Sequence, residues 1–150
     1  MTYRKIRLGH DTEKAYLHAF SSMSDIDVIQ VQNNLFPNDP WKIDDLDKLN
    51  SDIFILYDTD IPMGMFCLKP LTGSVSYLAS FGIVSPYRRQ GFGKMLYKYV
   101  KSFAQLTNHD ILLDSDINEE YVTSFYTNVG AKLIETTKTS NLWIIKSNYK

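Results

Sequence analysis

The 150-residue sequence predicts a mixed α/β domain, and three observations carry that prediction. Short strand-like runs, such as "DIFILYD" and "SVSYLASFGIV", interleave with stretches whose apolar residues recur at helical spacing, such as Phe92, Leu96, Tyr99, Val100 and Phe103. Breakers fall between the two kinds: Ser85-Pro86 after a strand and Gly130 after a helix. With 44% hydrophobic and 22% charged residues, the composition is that of a globular chain rather than a disordered one.

The elements follow in order. "TYRKIRL" alternates Tyr3, Lys5 and Arg7 against Arg4, Ile6 and Leu8, as a strand with one polar face does. From Asp11, "DTEKAYLHAF" reads as a capped helix, and "IDVIQVQNNLF" as a second, irregular one stopped by "PNDP". "DIFILYD", the turn "TDIP" and "MGMFCLKP" form a strand pair. "SVSYLASFGIV" is a longer strand in which Gly82 marks a bulge or the close approach of another backbone. A helix begins near Gly93, a short buried strand "DILLD" follows, and "DINEEYVTSFYTNVG" is a helix with Asp116 as its cap and Glu119 three residues on. Two strands, "AKLIETT" and "NLWIIKS", complete the chain.

Several classes of function are disfavoured at once. A formal net charge of -1 gives no broad electrostatic grip on nucleic acid or an anionic membrane. The N-terminus has no apolar core of a signal peptide, and no run approaches the roughly 20 apolar residues of a membrane span. A single cysteine, Cys67, and three scattered histidines suggest neither a disulfide framework nor a metal cluster. The expectation is one soluble, cytoplasmic domain over residues 1–150.

The segment with chemical content is "GIVSPYRRQGFGKMLYKYV". The first amides of a helix lack intrahelical partners, and the helix dipole makes that end electropositive. Gly91 and Gly93 open the approach to those amides, while Arg88, Arg89 and Lys94 add positive charge, a combination suited to a phosphate or pyrophosphate. The spacing is not that of a P-loop. Leu96 occupies the position where a dinucleotide fingerprint needs a small residue.

Arg88-Arg89-Gln90-Gly91-Phe92-Gly93 matches the Q/R-x-x-G-x-G/A signature, and the chain thereby resembles the GNAT superfamily of acetyl-CoA-dependent N-acetyltransferases. A second segment, Asn118 with Phe125-Tyr126-Thr127-Asn128-Val129-Gly130, is similar to that family's "N…A…Y…GF" stretch. The spacing from Asn118 to Tyr126 is one residue longer than usual, and Ala131 replaces the common phenylalanine. The strand "SVSYLASFGIV" lacks the glutamate that serves many members as a water-linked base.

The resemblance implies a mostly antiparallel, twisted sheet of about seven strands flanked by about four helices, splayed between the fourth and fifth strands. It implies acetyl-CoA as co-substrate, with main-chain groups of Ile83, Val84 and Ser85 along the pantetheine arm. The pyrophosphate then lies among Arg88, Arg89, Gln90, Gly91, Phe92, Gly93 and Lys94, with Asn118 beside the cofactor. An amine attacks the thioester directly, and Tyr126 occupies the family position of the acid that meets the leaving thiolate. Asp114 and Asp116 are candidate bases, although Asp116 serves equally as a helix cap. Tyr77 and Ser80 are candidates to position a water, or else packing residues. Cys67 reads as a buried structural thiol. The acceptor, a small-molecule or peptide amine, is expected near "SSMSDIDVIQVQNNLFPNDPW", where Asp25, Asp27 and Asp39 suit a cation, and a homodimer is compatible with the pattern. Two other readings stay open: a non-catalytic acyl-CoA-binding module, and an unrelated binder of nucleotide phosphates.

Overall fold

The computed structural model describes residues 4–9, 18–19, 25–42, 52–58 and 61–147. In chain order these form β1 (Arg4–Gly9), β2 (His18–Ala19), α1 (Asp25–Leu35), β3 (Asp52–Asp58), β4 (Ile61–Pro70) and β5 (Val75–Ile83). A 3-10 turn (Ser85–Tyr87), α2 (Phe92–Thr107), β6 (Asp110–Asp116), α3 (Glu120–Val129), β7 (Lys132–Thr136) and β8 (Ser140–Ile145) follow. The strands build one sheet in the order β2-β1-β3-β4-β5-β6-β8-β7. Among the described residues, only the β1–β3 and β5–β6 pairs are parallel.

The mixed, mostly antiparallel architecture agrees with expectation, and the differences are local. The described residues form eight strands where about seven were expected, because His18–Ala19, expected within the first helix, pairs with Ile6 and Arg7 of β1. The remainder of that expected helix lies outside the described residues, so three α-helices are described. The second helix is regular, and the loop after it is held by side chains. Asn33 accepts from the Trp41 amide at 2.8 Å and donates to the Trp41 carbonyl, while Gln32 Nε2 donates to the Asp39 carbonyl. Such side-chain bonds to the backbone of a following loop leave no periodic trace in the sequence.

Strand alternation divides the core. Phe54 pairs with Phe66 and Phe66 with Phe81, so all three point to one face. The Phe54 and Phe66 rings stack at 4.2 Å, and Phe103 of α2 meets Phe54 edge-on at 5.5 Å. Leu96, Tyr99, Val100, Phe103 and Ala104 are buried at three- and four-residue spacing, which seats α2 on that face. Truncating Phe66 or Phe103 to alanine is expected to cost about 3–5 kcal/mol. The opposite face carries Cys67, Ser80 and Gly82 beneath α1.

The β4–β5 register shifts between Cys67 and Leu68, leaving Ala79 without a partner. The bulge therefore sits three residues before Gly82. What approaches Gly82 is a side chain rather than the expected backbone: a Cβ there would lie 3.1 Å from both methyls of Leu35. Among the described residues, no helix is long and apolar enough to cross a membrane, and no group of three or more His, Cys, Asp or Glu could hold a metal.

Candidate active site

β5 and β6 pair over three residues only, Val75 with Asp110, Ser76 with Ile111 and Tyr77 with Leu112. Beyond Tyr77, β5 continues to Ile83 along β4, and β6 continues to Asp116 along β8. The two strands thus part into a V, at the strands expected; the extra strand β2 only moves their numbers up by one.

The free edge of β5 has a defined polarity. Val84 donates its N–H to the Met63 carbonyl at 2.9 Å, so its amide is turned toward β4. Alternation then turns the main-chain groups of Ile83 into the opening. The Ile83 carbonyl accepts a 2.8 Å bond from Nε of Arg88. Arg88, expected beside the pyrophosphate, is accordingly anchored on the strand end by one nitrogen of its guanidinium.

Next comes the loop. The 3-10 turn closes with Tyr87 N–H on the Val84 carbonyl and Arg88 N–H on that of Ser85, and Gln90 Nε2 donates to the Pro86 carbonyl at 3.0 Å. Arg89 has φ 62° and Gly91 φ 87°, both left-handed. A non-glycine residue there is strained, and Gly91 avoids that strain at the second position. No side chain caps α2. A Cβ on Gly91 would meet nothing within 4 Å, so that glycine serves the backbone turn and leaves open space before the helix. Gly93 differs: its Cβ would lie 3.3 Å from Cε1 of Phe125. The second glycine therefore lets α3 approach α2. Arg89, Gln90 and Lys94 are exposed around the uncapped end.

Tyr126 sits across the V. Its ring contacts Phe81 of β5 at 6.2 Å and Trp143 of β8 at 5.7 Å, with Phe125 edge-on at 5.4 Å. Trp143 is itself held by an indole N–H bond to Ser115 Oγ on β6, so Tyr126 touches one arm of the opening directly and is linked to the other through Trp143. The residue is 6% exposed, yet no buried side-chain polar atom among the described residues lacks a partner. Its hydroxyl makes no bond to a described residue and so reaches solvent. Burial, with a smaller contribution from Tyr97, pushes the phenol well above its ordinary pKa.

At the apex, the Tyr77 hydroxyl donates to Asp114 Oδ1 at 2.6 Å. Burial first, and then the Asp114 carboxylate, push the Tyr77 phenol up to about 12. Tyr77 pairs with Lys69 and Leu112, which places Tyr77 and Asp114 on the α1 face. Phe81 and Trp143 point to the other face, with Tyr126. The carboxylate and the Tyr126 phenol therefore flank the opening from opposite faces of the sheet.

The remaining expected residues separate. Asp116 caps no helix, because α3 starts at Glu120; its Oδ1 accepts the Asn118 amide at 2.8 Å in a tight turn after β6. Asn118 itself is exposed at that turn. Ser80 is buried and reaches Gln32 Oε1 at 3.5 Å, a packing arrangement beneath α1. Cys67 is buried, and desolvation drives its thiol up to about 12, as befits an inert core residue. Sequence reasoning missed Phe81 and Trp143, which sheet register brings to Tyr126, and Gln32, which reaches Ser80 through the packing of α1 on the sheet.

A parted parallel strand pair, a left-handed loop and an uncapped helix together make up the candidate site. Residues 17–131 match the family model of the acetyltransferase (GNAT) family, and the chain belongs to that family. It is 29% identical over 111 residues to N-alpha-acetyltransferase 50 of Danio rerio, a match covering 71% of this chain and 62% of the relative. In two curated relatives the match spans 47% and 62% of the relative's own length. The fold is similar to a crystal structure of aminoglycoside 6'-N-acetyltransferase complexed with coenzyme A, with TM-score 0.70, 13% identity, and coverage of 87% of this chain and 96% of that one. It is also similar to Arabidopsis thaliana Naa50 in complex with the bisubstrate analogue CoA-Ac-MVNAL, with TM-score 0.66, 19% identity, and coverage of 81% and 91%.

Proposed function

We propose that this chain, as a single domain, transfers the acetyl group of acetyl-CoA to a primary amine by direct attack in a ternary complex. The observation that carries the reading is the parting of β5 from β6 after Tyr77 and Leu112, which leaves a strand edge leading into an uncapped helix. Ile83 and Ser85 present main-chain groups along the pantetheine arm, while Val84 contributes through its side of the strand because its amide is already bonded. Amides of Arg89 to Lys94 receive the pyrophosphate. Arg89 and Lys94 supply charge, Arg88 holds the strand end, and Asn118 lies beside the cofactor.

The attacking amine must be neutral and must lose a proton after attack. Asp114 takes that proton, directly or through a water, and Tyr77 fixes its carboxylate at the apex. The N–H of Ile83 meets the developing oxyanion. Tyr126 donates a hydrogen bond to the departing thiolate. Since burial raises its pKa, complete proton transfer to sulfur is uphill, and stabilisation by hydrogen bonding is the larger part of its role.

The acceptor is an amine on a small molecule or a peptide. The relative named as an N-alpha-acetyltransferase and the neighbour bound to a CoA–peptide analogue favour a peptide α-amine. Calorimetric titration with acetyl-CoA, followed by thiol-release assays on free-amine peptides, aminoglycosides and polyamines, tests the reading. Binding with release on one amine class is the expected result. Binding without release on any amine would favour a non-catalytic acyl-CoA-binding module, and no binding would remove the reading altogether.

A further inference from the structure

β7 ends the sheet, and every residue from Lys132 to Thr136 is exposed. An edge strand presents unpaired backbone groups along its outer side, and proteins commonly blunt such edges with proline, a covering element, charged side chains or a bulge. β7 contains no proline and carries two apolar residues, Leu133 and Ile134, at 52% and 51% exposure. Tyr121 of α3, a helix that packs against β7, is 74% exposed.

The charges on this strand have a specific arrangement. Lys132 opposes Ile144, and Glu135 opposes Leu142. Ile144 and Leu142 are two residues apart and share a face, so Lys132 and Glu135 share that face as well. Residues three apart in a regular strand would point to opposite faces. The register shift between Leu133 and Glu135 absorbs the odd residue and brings the two charges to one side.

We propose that β7 pairs antiparallel with β7 of a second copy of this chain, about a two-fold axis between Leu133 and Ile134. In that register Lys132 of each copy stands opposite Glu135 of the other, on the same face, and Leu133 stands opposite Ile134. The surface is complementary to itself, as an isologous interface requires, and both kinds of cross-strand pair are favourable. Moving the axis onto Ile134 would set Leu133 against Glu135 and Lys132 against Thr136, which loses both charge pairs.

Sedimentation equilibrium of the full chain tests the proposal with three proteins, each checked by circular dichroism for an unchanged fold. The unsubstituted chain is expected at twice the protomer mass. Glu135→Lys sets like charges opposite each other and is expected at the protomer mass. Adding Lys132→Glu to Glu135→Lys reverses both charges, restores complementarity and should return the doubled mass. A monomeric unsubstituted chain overturns the proposal. So does a dimer indifferent to Glu135→Lys, or a double variant that stays monomeric.

Discussion

The Tyr77 hydroxyl donates a 2.6 Å hydrogen bond to Asp114 Oδ1 at the point where β5 and β6 cease to pair. Two residues 37 apart in sequence thereby form one polar unit on the α1 face of the opening. Asp114→Asn is expected to lower kcat by about 10²- to 10⁴-fold, the usual range for loss of a general base, with acetyl-CoA affinity unchanged. Tyr77→Phe should lower kcat less, and the double variant should be no slower than Asp114→Asn alone. Multiplicative losses in steady-state kinetics would mean that the two residues act independently.

The same pair predicts a stability profile. The Tyr77 phenol is raised to about 12 in the folded chain, against about 10 when unfolded. Below pH 10 both states keep the proton and stability is unaffected. Between pH 10 and 12 the unfolded chain ionises first, so stability falls. Tyr126 shifts in the same direction and adds to the fall. Urea melts across this window should show a shallower decline for Tyr77→Phe than for the unsubstituted chain.

Gly91 and Gly93 are expected to answer differently to alanine. At Gly91, φ 87° makes any L-residue strained by about 1–2 kcal/mol, and acetyl-CoA affinity should fall in calorimetry as the loop shifts. At Gly93, helix propensity alone would make alanine stabilising by about 0.8–1 kcal/mol. The 3.3 Å contact with Phe125 opposes that gain, so thermal melting should show no rise in Tm.

Tyr126→Phe keeps the ring against Phe81, Phe125 and Trp143 and removes only the hydroxyl. Folding stability should change by less than about 0.5 kcal/mol, because that hydroxyl makes no bond to a described residue. Turnover should slow by about 10²-fold while the acetyl-CoA dissociation constant stays constant. An unchanged rate would assign Tyr126 to packing alone.

Arg88→Ala removes the bond to the Ile83 carbonyl. A loss of about 1 kcal/mol in stability is expected, with weaker acetyl-CoA binding as the end of β5 loosens. Arg89→Ala should leave stability unchanged within about 0.5 kcal/mol, and chemical denaturation distinguishes the two arginines.

Much of this architecture is legible in the sequence because its cause is local. The apolar stripe of α2, the strand character of Asp52–Asp58 and the glycine stop at Gly130 each follow from the preferences of neighbouring residues. The signature from Arg88 to Gly93 is local too, since a left-handed turn before an uncapped helix is a property of one short segment. Other features come only from tertiary structure, because they arise where segments distant in sequence meet. Asp114 finds Tyr77 through the parallel register of β5 and β6. Gly93 is small for the sake of Phe125, and Arg88 turns back to the Ile83 carbonyl instead of outward. The two-residue strand His18–Ala19 exists because β1 offers an edge, an interaction that overrides helical periodicity. Hydrophobic spacing and turn chemistry act over a few residues, so the sequence by itself determined the elements and the glycine turn before α2. Sheet register acts across the whole chain, and it alone decided which side chains face one another across the opening.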